Sequence, residues 1–185
     1  LEQKNVTQTI YSQEYFNVPV NMEPRSELIE EAAELLLNAN KPMINAGPEI
    51  TRAGAAPEVL ELAELLGIPF SQGYSVYGDV PFQHPLFQGF AGMGFPRGVR
   101  RTDVYLNLGA MMPDEALVTQ PIKDTTTLID ARVEHEKIGN RFRTDVAITA
   151  GMKETAVALL DAVKSKATEA QIEALRAPRM EKAMQ

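Results

Sequence analysis

Few side chains in this sequence could do chemistry, and their spacing narrows what that chemistry could be. The two histidines, His84 and His135, stand fifty-one positions apart, so no His-x-x-x-His pair is available to seat zinc. Cysteine is absent, which excludes thiolate nucleophiles, thiolate-ligated metals and disulfides and is compatible with a reducing cytoplasm. As a general base His84 would need a nucleophile or an orienting partner, and its neighbours in Gln83-His84-Pro85-Leu86-Phe87 supply neither. It precedes a proline, favours extended backbone, and reads as a loop anchor. His135, inside Glu134-His135-Glu136-Lys137, reads as part of a charged, solvated turn. The nearest approach to a G-x-S-x-G nucleophile elbow is Gly73-Tyr74-Ser75-Val76-Tyr77-Gly78, with one residue too many before its second glycine, and it reads as a turn. No catalytic side chain and no metal-ligand set is assigned.

Glycine-rich loops are the next candidates, because a missing Cβ lets backbone N–H groups approach a phosphate. Gly47-Pro48-Glu49-Ile50-Thr51-Arg52-Ala53-Gly54 lacks two of the three glycines that a G-x-G-x-x-G dinucleotide fingerprint needs. No G-x-x-x-x-G-K-[ST] occurs, which removes the P-loop hydrolases. The stretch from Gln83 to Gly98 holds four glycines but fits neither pattern, and it reads as a shaped loop packed down by Phe87, Phe90 and Phe95. Among the acids, Glu30, Glu31 and Glu34 lie on the polar face of a helix, where solubility explains them. Asp130 ends a strand-like run, where a carboxylate either meets a ligand or caps a loop. Asp114 is a weaker candidate of the same kind.

The elements that would position these residues follow from periodicity. Leu28, Ala32, Leu35, Leu36 and Ala39 mark one face of a helix that Ser26 could cap, ending by Asn40-Lys41-Pro42. Val59, Leu62, Ala63 and Leu66 mark a second, with Pro57 in its first turn and Gly67 at its end. Met152, Ala156, Leu159, Leu160 and Val163 mark a third, and Thr168-Glu169-Ala170-Gln171 matches a capping box opening a polar helix broken near Pro178. Strands are expected at Pro42–Ala46, Ile68–Ser71, Asp103–Gly109, Thr125–Asp130 and Asp145–Thr149, with a short helix near Arg97–Arg101. Short apolar strands alternating with helices imply parallel βαβ units. The expectation is an α/β, doubly wound, mostly parallel sheet of five to six strands with helices on both faces, Rossmann-like. Such sheets bind ligands beyond the carboxyl ends of their strands, which gathers Gly47, Pro48, Gly73, Gly109, Ala110 and Asp130 into a candidate nucleotide groove.

Composition sets the outer limits. A chain of 185 residues, 44% hydrophobic and 23% charged, matches one soluble domain and holds no apolar run that spans a bilayer. Eighteen basic against twenty-five acidic residues leave a net charge of −7, which repels a polyanion and argues against nucleic acid as a partner. The opening residues, without Met, basic region or apolar region, form no signal peptide, and the chain reads like a piece of something longer. Residues 1–25 read as a linker or extended arm, 26–165 as the domain and 166–185 as a helix or linker leading onward.

Several segments, taken together and in order, resemble a known family. Lys41-Pro42-Met43-Ile44-Asn45-Ala46-Gly47, Ala53-Gly54-Ala55-Ala56, Leu60 to Pro69, His84-Pro85-Leu86 with Gly89, Gly92 and Gly94, and Asp103 to Gly109 are similar to the central domain of thiamine-diphosphate-dependent enzymes. The relatives in view are acetolactate synthase, benzoylformate decarboxylase and oxalyl-CoA decarboxylase, and the resemblance spans roughly residues 25–165. It implies a parent that makes or breaks a carbon–carbon bond next to a 2-oxo acid carbonyl, using thiamine diphosphate and Mg2+ held by a pyrimidine-binding and a diphosphate-binding domain. On that reading this chain is a non-catalytic scaffold, cytoplasmic, within a homo-oligomer, and binds no cofactor itself. A free-standing nucleotide-binding or regulatory module of the same fold is the alternative. Flavin-binding members carry Gly-Ala-Arg-Phe-Asp-Asp where this chain has Gly109-Ala110-Met111-Met112-Pro113-Asp114, Gly-Asp where it has Ala150-Gly151, and Gly-Met-His-Gly where it has Gly92-Met93-Gly94. Those departures count against FAD, while Gly47, Gly109 and Asp130 keep an adenine nucleotide such as ADP open.

Overall fold

Why the strands sit where they do follows from a two-sided apolar pattern. The computed structural model describes residues 7–16, 22–91, 101–112, 122–140 and 142–183. Within them Pro42–Ala46 (β1), Phe70–Gln72 (β2), Phe87–Phe90 (β3), Val104–Leu108 (β4), Thr127–Arg132 (β5) and Val146–Thr149 (β6) form one sheet. Its order is β3-β2-β1-β4-β5-β6, and every pairing is parallel. This is the Rossmann strand order, whose direction reverses between β1 and β4 and leaves the two strand ends there as the topological switch point. β1 and β4 are buried along their whole length, as expected of central parallel strands.

Alternate residues of the strands face different cores. Ile44, Ala46, Leu106, Leu108, Ile129, Ala131, Val146 and Ile148 join the main core with helices Ser26–Asn38 (α1), Pro48–Ala53 (α2), Ala56–Leu66 (α3), Met152–Lys166 (α4) and Glu169–Ala183 (α5). Met43, Tyr105 and Leu128 point the other way and pack with Met112 and Ile122 in a smaller cluster that Phe142 flanks. The second face is thus apolar at the feet of the strands. Residues 97–100 of the expected short helix near Arg97–Arg101 lie outside the described residues.

Local chemistry accounts for the differences from the sequence reading. Arg25, not Ser26, occupies the N-cap of α1, and no side chain caps that end. Gly47-Pro48 opens a helix rather than only a turn, because Pro48 sits at the first position of α2, where its missing N–H costs nothing. The stretch read wholly as loop contains the edge strand β3, which pairs with β2 through an irregular register. Two glycines terminate helices in the left-handed region, Gly54 after α2 and Gly67 after α3, both at φ 63°. The capping box at Thr168 forms, with the Thr168 backbone N–H donating to Gln171 Oε1 at 2.9 Å. The helix it opens is not broken at Pro178 but continues to Ala183, because Arg179 beside the proline is anchored to carbonyls of neighbouring helices.

At the feet of β1 and β4, Asp103 clamps the chain as it enters β1. Its two carboxylate oxygens accept from the Asn40 and Lys41 backbone N–H groups at 2.7 and 2.9 Å. Among the described residues no helix is long and apolar enough to cross a membrane.

Candidate functional site

The carboxyl ends of β2, β1, β4 and β5 carry a row of polar residues in exact register. Ser71 pairs with Asn45, Asn45 with Asn107, and Asn107 with Asp130, and all four are buried. Asn107 organises the row. Its amide donates to Asp130 Oδ1 at 2.7 Å and to the Ala110 carbonyl at 2.9 Å. Its own oxygen accepts from the Asn45 amide at 2.8 Å, and the Ser71 hydroxyl donates to Asn45 Oδ1 at 3.3 Å. Asp130 also accepts from Arg132 Nε at 2.8 Å. A chain of hydrogen bonds therefore runs from Ser71 across four strands to a guanidinium. In a buried network each member leaves its neighbour unpaired if removed, so the row holds its shape strongly.

The glycines expected at a phosphate instead serve packing. A methyl at Gly47 would lie 2.1 Å from the Ala110 Cα, and one at Gly73 would lie 2.8 Å from the Ala110 methyl. The Gly47 N–H donates to the Leu108 carbonyl at 3.0 Å and the Gly73 N–H to the Ala46 carbonyl at 2.7 Å. Gly109, at φ 60°, turns its chain against Glu49, whose Cβ would stand 2.4 Å from an added methyl. The backbone of one loop thus occupies the space beside the other. The switch point is closed at its floor.

Above that floor lies an open cleft of about 280 Å³. Pro48, Gly109 and Ala110 line it, while Gly47, Gly73 and Asp130 do not. Asp130 is only 2% exposed and is turned into the polar row. It reaches the cleft through Arg132, whose side chain is 5% exposed and lines the wall. Arg132 Nη2 is buried without a hydrogen-bond partner. Arg52 and Lys137 add two further cations and Glu49 and Glu134 two acids, with Tyr74, Tyr77 and Met111 as aromatic and apolar wall. Burial pushes the Glu49 carboxyl above the ordinary glutamate value, opposed by the Val133 N–H, which donates to it at 2.8 Å. The Lys137 ammonium bonded to Glu134 holds that carboxyl below its ordinary value.

The sequence reading missed Glu49, Arg52, Tyr74, Tyr77, Arg132 and Lys137 as cleft residues. Arg132 carried a legible signal, since two positions after Asp130 on a strand it must share that residue's face. The others come from loops and helices whose positions local pattern does not determine. Asp114, Met93 and the segment from Gly92 to Gly94 lie outside the described residues. His84 does have a partner, contrary to the sequence reading. Leu86 N–H donates to His84 Nδ1 at 3.1 Å, and Nε2 meets Glu64 of α3 at 2.9 Å. With Nδ1 an acceptor, the hydrogen sits on Nε2. Tilted 42° against Phe70 with the ring centroids 5.1 Å apart, and away from the cleft lining, this ring anchors its loop. His135 is exposed, and its ring meets Glu136 at 3.3 Å.

A Rossmann-ordered sheet with this loop arrangement occurs in many families, and the comparison with known proteins decides among them. Residues 29–159 match the model of the thiamine pyrophosphate enzyme, central domain. The chain belongs to that family. Pyruvate oxidase of Lactiplantibacillus plantarum is 27% identical to it over 155 residues, which is 82% of this chain and 25% of the oxidase. Acetolactate synthase of Mycobacterium bovis is 29% identical over 138 residues, 72% of this chain and 22% of the synthase. The crystal structure of benzoylformate decarboxylase from Polynucleobacter necessarius shares the fold at a TM-score of 0.65 and 18% identity, over 87% of this chain and 31% of that one. This central domain therefore spans about a quarter of the length of these curated relatives.

Proposed function

We propose that this chain is the non-catalytic central domain of a thiamine-diphosphate-dependent enzyme that acts on 2-oxo acids in the manner of acetolactate synthase. Its membership of the family carries the reading. The site's geometry supports it, because the switch-point glycines are spent on packing Gly47 and Gly73 against Ala110. No group of three His, Asp or Glu side chains among the described residues converges to hold a metal. In this reading thiamine diphosphate and Mg2+ belong to pyrimidine- and diphosphate-binding domains of the parent, a cytoplasmic homo-oligomer, and the present domain holds those parts in place. Calorimetric titration of the 185-residue chain with thiamine diphosphate and Mg2+, together with a pyruvate-consumption assay, tests this. The expected outcome is neither heat of binding nor turnover; either one overturns the scaffold role.

The alternative, a nucleotide-binding module, is favoured by one feature, the cleft in which Arg52, Arg132 and Lys137 face Tyr74 and Tyr77. Cations beside aromatic rings suit a nucleotide's phosphates and base. Gly109, Ala110 and Pro48 would form the side of that groove, with Asp130 acting only by orienting Arg132. Titration with ADP and with FAD distinguishes the readings. Saturable binding that weakens at least tenfold in Arg132→Met establishes the module, and no binding of either leaves the scaffold reading in place.

A further inference from the structure

The last helix is attached by an unusual means. α5 has fifteen residues, of which only Ile172 and Arg179 are buried. Where α5 rises from α4 it stands off the body, leaving an open groove of about 550 Å³ lined by Leu37, Asn38, Lys166, Ala167, Ala174 and Leu175. Little apolar area therefore holds its first half. Its second half packs Met180 and Ala183 partly buried against the core and sends in one buried charged side chain, Arg179. The Arg179 guanidinium enters between the carboxyl ends of α1 and α3, donating to the carbonyls of Leu36 at 2.9 Å, Ala39 at 2.5 Å and Leu66 at 3.1 Å, with a longer contact of 3.4 Å to Leu37. These carbonyls are the ones a helix end leaves without partners, and both ends present the negative pole of the helix dipole. A planar group with five donors satisfies several at once, which an ammonium does less well.

Two further contacts complete the attachment. Gly67, the cap of α3, lies so near α5 that an added methyl would stand 2.7 Å from the Arg176 carbonyl. At the far end the Gln88 amide of β3 donates to the Ala183 carbonyl at 2.9 Å. Before α5, Ala167 is fully extended at φ −135° and ψ 138°, so the helix is joined to α4 through a bend rather than a continuous rod.

We propose that α5 is a strap that swings on Ala167 and is caught by Arg179, opening as a unit while the sheet and α1 to α4 remain folded. The catch is local to the ends of α1 and α3, the groove runs beside the first half of α5, and the apolar side chains that hold α5 to the core are Ile172, Met180 and Ala183. Releasing it uncovers the carbonyls of Leu36, Leu37, Ala39 and Leu66 as a ready acceptor cluster for another cation.

Native-state hydrogen exchange of the full 185-residue chain tests this, resolved by helix. In the unaltered chain the amides of residues 169–183 are expected to exchange at least tenfold faster than the central amides of α1 and α4. Arg179→Met removes hydrogen bonds from a charged group, worth roughly a hundredfold in the opening equilibrium, and is expected to speed α5 by that order while α1 and α4 change less than twofold. Arg179→Lys, which keeps the charge with fewer donors, is expected to fall between. Gln88→Ala is expected to speed only the last turn. The proposal fails if α5 exchanges in step with α1 and α4, or if Arg179→Met or Arg179→Lys accelerates all helices together or unfolds the chain.

Discussion

Asn107 and Tyr105 stand two positions apart on the same face of β4, both fully buried, yet their polar atoms have opposite consequences. Asn107 uses its amide nitrogen and oxygen in three bonds, so Asn107→Leu leaves Asn45, Asp130 and the Ala110 carbonyl short of partners. A loss of about 2–4 kcal/mol is expected from urea unfolding. The Tyr105 hydroxyl lies beside Ser71 but makes no bond of standard geometry. Burial raises its pKa far above that of an ordinary phenol, keeping it neutral. Tyr105→Phe removes an unsatisfied group and is expected to leave stability unchanged or raise it by up to about 1 kcal/mol in the same experiment. Glu49 supplies a test in pH. Its carboxyl is raised by burial, so the folded state prefers it protonated. The stability this confers is present below the ordinary glutamate value and is lost as pH rises through the raised one. Glu49→Gln is therefore expected to shift the urea midpoint upward relative to the unaltered chain at pH 7, with the advantage vanishing near pH 4. An equal shift at both values would remove ionisation as the cause.

At the scale of elements, two glycines that look alike in sequence do different work. Gly54 has φ 63° and open space around its Cβ position, so only backbone conformation opposes a side chain there. Gly54→Ala is expected to cost about 1 kcal/mol, and Asn, which tolerates the left-handed region, less. Gly47 is extended at φ −131° and ψ 179°, a conformation any residue adopts, but a methyl there meets the Ala110 backbone at 2.1 Å. Gly47→Ala must push β1's end loop away from β4's and is expected to cost about 3 kcal/mol, read as a drop in thermal midpoint. This contrast explains what the sequence could and could not reveal about the candidate site. A glycine after a strand was legible, and so was the row of strand ends. Whether the missing Cβ makes room for phosphate or for a neighbouring loop depends on a residue sixty-three positions away, Ala110, which no local pattern specifies.

For the whole molecule the surplus of acid dominates behaviour in solution. With a formal charge of −7 and a sequence pI near 4.9, the chain is expected to bind an anion exchanger at pH 7 and to pass through heparin at ordinary salt; retention on heparin would mean a local cationic patch outweighs the global field. Periodicity and strand–helix alternation determined that this chain forms a parallel α/β sheet, and the apolar positions of α1, α3 and α4 were readable because helical spacing puts one face on the core. Segment order alone was enough to resemble the thiamine-diphosphate enzymes. Tertiary structure decided the rest. It recruited β3 from a glycine-rich loop, because an edge strand needs only a partner's open ladder and little burial of its own. It carried α5 through Pro178, because the Arg179 bonds to α1 and α3 outweigh one lost backbone bond. It also turned Asp130 inward and put Arg132 on the cleft, since a strand carboxylate flanked by a buried amide and a guanidinium is held by them rather than left for a ligand. Local sequence specifies faces and periods through short-range geometry, while the partner each polar group meets is set by chain segments brought together only when the sheet closes.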